Sequence, residues 1–504
     1  MFNDQPAIGV SLASLFSRCR FHYTKDIRVT SCCTDAELCK DGDLYVALMH
    51  DHGDGHTQAE LAVERGAVAV LAERLLPVEV PQCLVPNSNA ALAQLCQRLA
   101  GDPGAEVSVV GVAGNAGKTS TQMLLTSVLC AAGHQPALFG NLGTTDGLQA
   151  FPVVEQQASS SVFARWLANA ASKGCTHAVT ELQRDFVLRH IFGGVLLKSL
   201  VLTSLSTSTH RKAATPKTKA YVERLLKQLV PGGLVVANID CPIVEQMVGE
   251  ISNPVLTVSM EREADLTARR LEQFPSEQTF LLEAGEQTSV VRTKIIGDSH
   301  LLSCLMAVAA GLGSGIDLAT SVGAVESIAK IPGRLERVEC GQPFSIFSDA
   351  ATSSQHLRQT LVTLREVTEG KLICVFGQGE SPRQELRSLR GSIVERYADL
   401  GIITSDMPDN LEPLRATHDV LDGYRKPAKA HVMPNRTRAI EWALQCAEPG
   451  DTVVLAGPHN RRMVREDNDF PADADVARFV LFSQDKDLTQ LTKAAKHSVE
   501  PSWN

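Results

Sequence analysis

The 504-residue sequence lacks the features that mark several classes of protein. No stretch reaches the roughly 18 consecutive apolar residues that a transmembrane helix needs, and the opening MFNDQPAIGV has neither a basic start nor a long apolar segment. The 13 cysteines include no CxxC pair and no cysteine–histidine spacing typical of a metal site. We therefore expect a cytoplasmic protein with reduced thiols, without a signal peptide or a membrane span.

The sequence also lacks an excess of positive charge. Lys and Arg together number 48 against 57 Asp and Glu, which gives a formal net charge of -9. This balance argues against general nucleic-acid binding, so anionic ligands must be met by local basic groups. A hydrophobic content of 44% and a charged content of 21% are ordinary for a globular protein, and the length predicts two to four domains.

The clearest motif is VSVVGVAGNAGKTST, at residues 107–121. Its apolar start predicts a buried strand, its glycines predict a tight turn with room for an anion, and the pattern that follows predicts a helix. Lys118 supplies a positive charge, and Thr119 supplies a hydroxyl suited to Mg²⁺. Because the free N–H groups of a first helical turn point at an anion, the motif predicts a phosphate-binding loop for ATP. Its residues are Gly114, Asn115, Ala116, Gly117, Lys118, Thr119 and Ser120.

Periodicity predicts an α/β protein of three domains followed by a tail. A small N-terminal α/β domain is expected over 1–102, a central ATP-binding domain over 103–335, a C-terminal domain over 336–485 and a tail over 486–504. Strands alternate with helices in the central domain, which predicts a mostly parallel sheet with helices on both faces. Four apolar strands in the C-terminal domain predict a second, doubly wound sheet, with ligands at the carboxyl ends of the strands.

Four polar residues outside the loop are candidates for the same chemistry. Glu181 ends a predicted strand, where it could bind Mg²⁺, although a glutamate there is more often only solvated. His210 follows the next strand by six residues, and a lone loop histidine is more often merely exposed. Asp349 ends a C-terminal strand and could bind a ribose or approach the phosphates. Arg334, in PGRLE, could supply charge between domains or be a surface arginine.

The order of these motifs, from about residue 30 to 480, resembles that of the Mur ligases, and especially their tripeptide-synthetase branch. GVAGNAGKTST resembles the short phosphate loop GTNGKTT of that family, which explains why Val112 stands where a general P-loop has its first glycine. DGDLYVAL with GAVAVL resembles the N-terminal nucleotide-sugar domain, and THAVTEL resembles the segment that carries the Mg²⁺-binding glutamate, here Glu181. TSLSTSTH resembles the second-metal loop, with His210. IPGRLE, SDAATSSQHL, VFGQGE, TSDMP and LAGPHN resemble C-terminal motifs, and the first two contain Arg334 and Asp349.

The resemblance implies an ATP- and Mg²⁺-dependent ligase of peptidoglycan biosynthesis. In such an enzyme ATP phosphorylates a substrate carboxylate, and an amine attacks the acyl phosphate to give an amide, ADP and phosphate. The implied partners are a UDP-sugar-peptide or other carboxylate and an amino acid, without nucleic acid or membrane. Lys118, His210 and Asp349 take the catalytic roles, Thr119, Glu181 and His210 bind metal, and Arg334 and Asp349 join the loop in binding ATP.

Several positions depart from the family pattern. The lysine that is carbamylated to bind a second Mg²⁺, counted four residues after Tyr221, is Leu225. The DNPR that recognises diaminopimelate reads Asp406-Met407-Pro408-Asp409, and the DSR of the uridine site reads Asp35-Ala36-Glu37. Two hypotheses follow. One is a ligase with a changed acid and amine; the other is a nucleotide-binding relative with little or no catalysis that acts as a regulatory or assembly partner. A simple P-loop ATPase or kinase would leave the C-terminal domain without a role.

Overall fold

The structure is a computed structural model that describes residues 9–50, 53–151, 159–205, 214–379, 383–406, 413–458, 463–465 and 468–484. The chain forms two compact units. The first comprises Met1–Ser206, Lys212–Val258 and Met306–Asp317, and the second comprises Ser259–Leu305 and Leu318–Asn504. Large, mainly parallel sheets with helices between their strands confirm the α/β fold class. The limits of the three domains stay a prediction, and the predicted tail lies outside the described residues.

The first unit begins with a five-stranded sheet in the order β2-β9-β8-β5-β4, which is parallel except for the β2–β9 pair. Both of its faces are buried, because Leu44 and Val46 pack into one apolar cluster and Tyr45 into another. The elements are β1 (Val10–Ser11), α1 (Leu12–Leu15), β2 (Arg20–His22), β3 (Arg28–Val29), β4 (Cys32–Cys33), β5 (Leu44–Val46), β6 (Met49–His50), β7 (Gly53–Asp54), α2 (Ala59–Glu64), β8 (Ala69–Ala72), β9 (Gln82–Leu84) and α3 (Ser88–Leu99).

A disulfide corrects one expectation about this sheet. Cys33 and Cys39 are bonded, with their Cα atoms 5.8 Å apart, so the expectation that all thiols are reduced is wrong for this pair. The bond closes a short loop around the 3-10 helix Ala36–Leu38, which begins after Asp35. The other eleven cysteines are free.

The central sheet of the first unit runs in the order β13-β12-β11-β14-β10-β15-β16-β17. Strands β11, β14, β10, β15, β16 and β17 are parallel, as predicted, while β12 and β13 form an antiparallel edge. The elements are β10 (Ser108–Ala113), α4 (Lys118–Ala131), β11 (Pro136–Gly140), β12 (Gly143–Thr145), β13 (Ala150–Phe151), α5 (Ser160–Ser172), β14 (His177–Leu182), α6 (Arg184–Leu188), β15 (Leu197–Leu202), α7 (Pro216–Leu226), β16 (Leu229–Asn238), α8 (Pro242–Val248) and β17 (Val255–Ser259).

The second unit contains an antiparallel ribbon that the sequence analysis did not predict. Strands β18 (Leu266–Phe274), β19 (Glu277–Ala284) and β20 (Gln287–Thr293) are joined by two-residue turns, and Gly285 has φ +60° in the second turn. Phe280 and Leu282 are buried while their neighbours along β19 are less so, which is the period-two pattern of an antiparallel strand. Helices α9 (Asp298–Gly313) and α10 (Leu318–Ser327) follow.

A six-stranded sheet in the order β21-β22-β26-β23-β24-β25 forms the rest of the second unit. Its four predicted strands β22, β23, β24 and β26 are present, and neighbours among them are parallel. Ile373 and Val375 pack on one face, and Cys374 and Phe376 on the other. The elements are β21 (Glu336–Arg337), β22 (Ser345–Asp349), α11 (Ser354–Val367), β23 (Leu372–Phe376), α12 (Gln384–Tyr397), β24 (Leu400–Ile403), α13 (Pro413–Leu421), β25 (Ala430–Val432), α14 (Arg436–Cys446), β26 (Thr452–Ala456), β27 (Met463–Arg465), β28 (Asn468–Phe470) and α15 (Asp473–Gln484).

No helix among the described residues is long and apolar enough to cross a bilayer. A cytoplasmic location stays a prediction.

A buried arginine holds the carboxyl edge of this second sheet together. Arg390, on α12, is 1% exposed. Its guanidinium donates to the carbonyl oxygens of Gly377, Ala351 and Thr352 at 2.9–3.1 Å. It therefore supplies donors to backbone carbonyls that follow the ends of β22 and β23.

We expect Arg390→Ala to lower the free energy of unfolding by about 3 kcal/mol or more, because it leaves several buried carbonyls without donors and a cavity behind. Arg396→Ala, an exposed change on the same helix, is the matched control and should cost less than about 1 kcal/mol. Urea unfolding of both variants measures the difference. Equal losses would contradict the role given to Arg390.

Candidate active site

The predicted phosphate loop connects β10 to α4 at the carboxyl edge of the central sheet. Gly114 has φ +144° and Gly117 has φ +83°, both in the region that favours glycine. Gly117 is the N-cap of α4, and Lys118 is its first residue. Thr119 and Ser120 are buried in its first turn. The N–H groups of that turn and the positive end of the helix dipole favour an anion at this point.

The residues that follow β15 hold the loop in place by hydrogen bonds. The hydroxyl of Thr203 donates to the carbonyls of Ala113 and Ala116 at 3.0 and 2.7 Å. The side-chain amide of Asn115 donates to the carbonyl of Leu205 at 2.7 Å. A Cβ at Gly114 would lie 2.1 Å from the Thr203 hydroxyl, so only glycine permits this close approach. Asn115 and Ala116 thus shape the loop as well as belonging to it.

Glu181 is the most unusual side chain near the loop. It lies on β14, next to β10, and its register partner is Val112, two residues before Gly114. It is only 2% exposed, and neither carboxylate oxygen has a hydrogen-bond partner among the described residues. A buried carboxylate without donors is costly unless a cation compensates it. The position at the carboxyl end of the strand agrees with the prediction, and the burial removes the alternative that Glu181 is merely solvated.

Tyr221 joins the loop to the strand that carries Glu181. Its hydroxyl donates to the carbonyl of Leu182 at 2.7 Å. Burial raises the pKa of Tyr221, only partly offset by the nearby backbone N–H of Gly114 and the charge of Arg184, so the hydroxyl remains a neutral donor. Tyr221 reaches this place from α7, which begins with Pro216 after the Thr215 cap.

The position of the missing family lysine is part of the core. Leu225 is fully buried in the apolar cluster that also contains Tyr221 and Leu229. Among the described residues, Leu225 is therefore packed as a core side chain. Lys219 and Lys227, the lysines nearest to it on or beside α7, are exposed.

Asp349 and Arg334, the candidates in the second unit, are neighbours. The carboxylate of Asp349 accepts the N–H of Leu335 at 2.8 Å, the Thr360 hydroxyl at 3.0 Å and the ring nitrogen Nε2 of His356 at 3.0 Å. Burial opposes its ionisation, but the His356 ring, the Arg334 charge and the Leu335 N–H together hold the pKa of Asp349 below its usual value. Because Asp349 is 2% exposed and used in this way, the geometry favours a positioning role over direct contact with ribose.

The backbone beside Asp349 is strained. Leu335 has φ +43°, a left-handed conformation that is uncommon for a leucine. The Asp349 carboxylate holds the Leu335 N–H in this arrangement, and the carbonyl of Gly333 accepts the N–H of Ala350 at 2.8 Å. These bonds fix the segment that carries Arg334, which is half-buried.

His210 lies outside the described residues, as do Met407, Pro408 and Asp409, so their roles stay predictions. Among the described residues, no cluster of three or more His, Cys, Asp or Glu side chains forms a ready metal site.

Comparison with family models decides the assignment. Residues 112–311 match the Mur ligase middle domain, and residues 333–459 match the Mur ligase glutamate ligase domain. The diaminopimelate ligase of Geobacillus thermodenitrificans, which acts on UDP-N-acetylmuramoyl-L-alanyl-D-glutamate, is 30% identical over 84% of this chain and 88% of its own length. The chain belongs to the Mur ligase family. It is thereby a member of a family of ATP-dependent, ADP-forming ligases, as the motifs implied.

Other relatives agree with this placement. The enzyme of the same name from Solibacter usitatus is 29% identical over 90% of this chain and 93% of its own length. A solved structure of a diaminopimelate ligase superimposes with a TM-score of 0.68 at 21% identity, covering 95% of this chain and all of the other. The MurF ligase of Thermotoga maritima in complex with ADP gives a TM-score of 0.62 at 17% identity, covering 90% of this chain and 98% of the other. At these identities the structures support the fold of this Mur ligase.

Three residues with positioning roles were not identified from the sequence. Thr203 and Tyr221 hold the loop, and His356 holds Asp349. The seven-residue spacing of Asp349 and His356, across a turn into the first turn of α11, was a usable signal for the last of these. Thr203 and Tyr221 carried no signal, because a strand-end threonine and a helical tyrosine are common in any α/β domain.

We expect Tyr221→Phe to weaken ATP binding about fivefold to tenfold, because it leaves the Leu182 carbonyl without its donor and removes the hydroxyl that lies near the Gly114 N–H of the loop. Tyr424→Phe is the control. The Tyr424 hydroxyl is buried without a hydrogen-bond partner among the described residues, so its removal should change neither stability nor ATP affinity appreciably. Titration with a fluorescent ATP analogue measures both variants. Unchanged affinity in Tyr221→Phe would contradict the bridging role.

We expect Asp349→Asn to lower the free energy of unfolding by about 2–3 kcal/mol at neutral pH. Because the folded-state pKa of Asp349 lies below the ordinary value of 3.8, its ionised form stabilises the fold above that value. The contribution is lost as the pH falls below about 3.8. The difference between wild type and variant should stay constant from pH 7.5 to 5 and shrink below pH 4, as measured by urea unfolding. A constant difference at all pH values would show that charge is not involved.

Proposed function

We propose that this Mur ligase retains catalysis: it activates a carboxylate with ATP as an acyl phosphate and transfers the acyl group to an amine. The observation that carries the proposal is the buried Glu181 carboxylate, unsatisfied among the described residues and next to the phosphate loop. Such a group suits phosphoryl transfer, in which a cation held beside the phosphates stabilises the developing charge. A buried charge of this kind is retained where a cation or substrate completes it.

We propose that Mg²⁺ is that cation. Carboxylate and hydroxyl oxygens suit it, and Glu181 and Thr119 provide one of each near the loop. When bound together with ATP phosphates, Mg²⁺ would neutralise charge that develops on the transferred phosphoryl group. His210, the other proposed metal ligand, rests on the family resemblance alone.

The chain's own residues supply the remaining electrostatics in this proposal. The N–H groups of Gly117 to Ser120 and the charge of Lys118 bind the phosphates and favour the transition state over the ground state. Thr203 and Tyr221 keep that arrangement fixed, so little reorganisation is needed during the reaction. Asp349 orders the segment that presents Arg334 as a further positive charge.

The acid is proposed to be of the UDP-N-acetylmuramoyl-peptide type named for the relatives, whereas the amine is proposed to differ from diaminopimelate. Asp409 stands where the resemblance expects an arginine that pairs with a carboxylate. Arg436, on α14, is already bound to Asp406 at 3.1 Å and to Asp473 at 2.6 Å. An acidic residue in place of the expected arginine disfavours a second carboxylate on the amine. An amine with one carboxylate and a positive side chain, such as L-lysine, fits better than one with two carboxylates.

The decisive experiment supplies purified protein with ATP, Mg²⁺ and UDP-N-acetylmuramoyl-L-alanyl-D-glutamate, and compares L-lysine, diaminopimelate and other amino acids. ADP release and the mass of the product are measured. We expect product with an amine other than diaminopimelate. ATP binding without ADP release for any pair of substrates would overturn the proposal and favour the non-catalytic relative.

Two variants test the site itself. We expect Glu181→Gln to reduce ADP formation by about 10²–10³ through loss of a preorganised charge, with its Mg²⁺ requirement shifted to higher concentration. Glu223→Gln, an exposed glutamate on α7, should behave as wild type.

Lys118→Ala should weaken ATP binding strongly, and unchanged affinity would contradict the loop assignment.

A further inference from the structure

One cavity in the first unit lies away from the phosphate loop. It has a volume of about 650 Å³. Val195 and Leu196, which line it, come just before β15 begins. The phosphate loop follows the opposite, carboxyl end of β10, and β10 and β15 are parallel neighbours. The cavity therefore lies at the amino edge of the central sheet, and nothing in the proposed ligase chemistry uses it.

The cavity wall is formed where the segment before β15 meets helix α3. A Cβ added at Gly193 would lie 2.9 Å from the Cβ of Ala93, and one added at Gly194 would lie 3.0 Å from the Cα of Gln94. Gly194 also has φ +81°. Two adjacent glycines thus permit a backbone approach that no other residue allows without rearrangement.

Positive charge is concentrated on this cavity in a protein whose net charge is negative. Arg98, Arg224 and Lys227 line it, with Asp102 as the one acidic residue. Arg98 is paired with Asp102. The Nη1 group of Arg224 donates to the carbonyls of Val187 and Leu188, at 3.2 and 2.7 Å, which fixes the guanidinium and leaves its other donors available. Lys227 has no acidic partner in the described part of the chain.

Backbone strain is concentrated here as well. His190 and Asp102, both lining residues, have φ +62° and +53°. They are two of the four non-glycine residues with positive φ in the described ranges. Burial and the charge of Arg224 lower the pKa of His190 to about 4, so its ring is neutral near pH 7 and adds no charge. The three basic groups and Asp102 therefore leave a net charge of about +2 on the cavity.

We propose that this cavity is a binding site for a small phosphorylated sugar, separate from the ATP and substrate sites. Arginine and lysine side chains are the usual phosphate partners in proteins. The volume lies within the range of small-molecule sites. Among the described lining residues, His190 carries the one aromatic ring and no Phe, Tyr or Trp is present, whereas the exposed amide of Gln94 suits hydroxyl groups, so a sugar fits better than a nucleobase.

Isothermal titration tests this proposal on the full-length protein with the phosphate loop saturated by ADP and Mg²⁺. The probes are glucose 6-phosphate and glucosamine 6-phosphate, with glucose and inorganic phosphate as comparisons. We expect a sugar phosphate to bind and glucose not to bind. Lys227→Glu and Arg224→Gln should each raise Kd about tenfold or more, since each removes a charge-assisted contact.

Lys217→Glu, an equal charge reversal on α7 away from the cavity, should leave Kd unchanged. The ADP affinity of every variant is measured separately and should match wild type, which shows that the protein is folded and that the ligase site is intact. No binding of either sugar phosphate at 10 mM (about the weakest useful affinity for a metabolite), or binding that Lys227→Glu does not weaken, would overturn the proposal. Inorganic phosphate binding as tightly as the sugar phosphates would overturn the part that concerns the sugar.

Discussion

The candidate active site depends on one geometric constraint: the carboxyl ends of three adjacent parallel strands must meet at one edge of a sheet. Strand β10 delivers the phosphate loop, β14 delivers Glu181 and β15 delivers Thr203. Since β10 lies between the other two, each partner is one strand away from the loop. The close contact between Gly114 and Thr203 then sets the height of the loop above the sheet. Loss of that register would separate the phosphate loop from the buried Glu181.

The same architecture explains how the fold tolerates a buried polar site of this kind. An apolar cluster covers one face of the central sheet and includes Tyr221 and Leu225, so these residues of α7 contribute packing as well as position. Apolar packing in the surrounding core therefore offsets the free-energy cost of burying the Glu181 carboxylate. In the second unit Arg390 and Asp349 satisfy backbone groups at the carboxyl edge of its own sheet, and Arg436 pairs there with the carboxylates of Asp406 and Asp473.

The divergence of this Mur ligase from its relatives is concentrated on the side of the acceptor amine and the second metal. The phosphate loop and Glu181 agree with the family pattern, whereas Leu225 and Asp409 do not. Leu225 is enclosed by core residues. An apolar core side chain therefore stands where the family resemblance expects a metal-binding lysine. Such a pattern is consistent with conserved ATP chemistry and an altered acceptor, because the two depend on different groups of residues.

Sequence by itself determined the elements whose signals are local. The phosphate loop, the alternating strands and helices, and the placement of Glu181 and Asp349 at strand ends all follow from glycine pattern, periodicity and order along the chain. The antiparallel ribbon β18–β20 was missed, although its alternation was visible, because polar residues on its open face obscure the pattern.

Only the tertiary structure decided which residues meet. Glu181 is buried without a hydrogen-bond partner among the described residues, and Tyr221 reaches the Leu182 carbonyl, and neither fact follows from sequence spacing. The contact between His356 and Asp349 was compatible with their spacing, but only the packed structure shows it. The cavity near Arg224 is a further example, since its basic residues come from segments more than 100 positions apart. Burial and hydrogen bonding are properties of packed neighbours, and packing is fixed only once the sheets and helices have assembled.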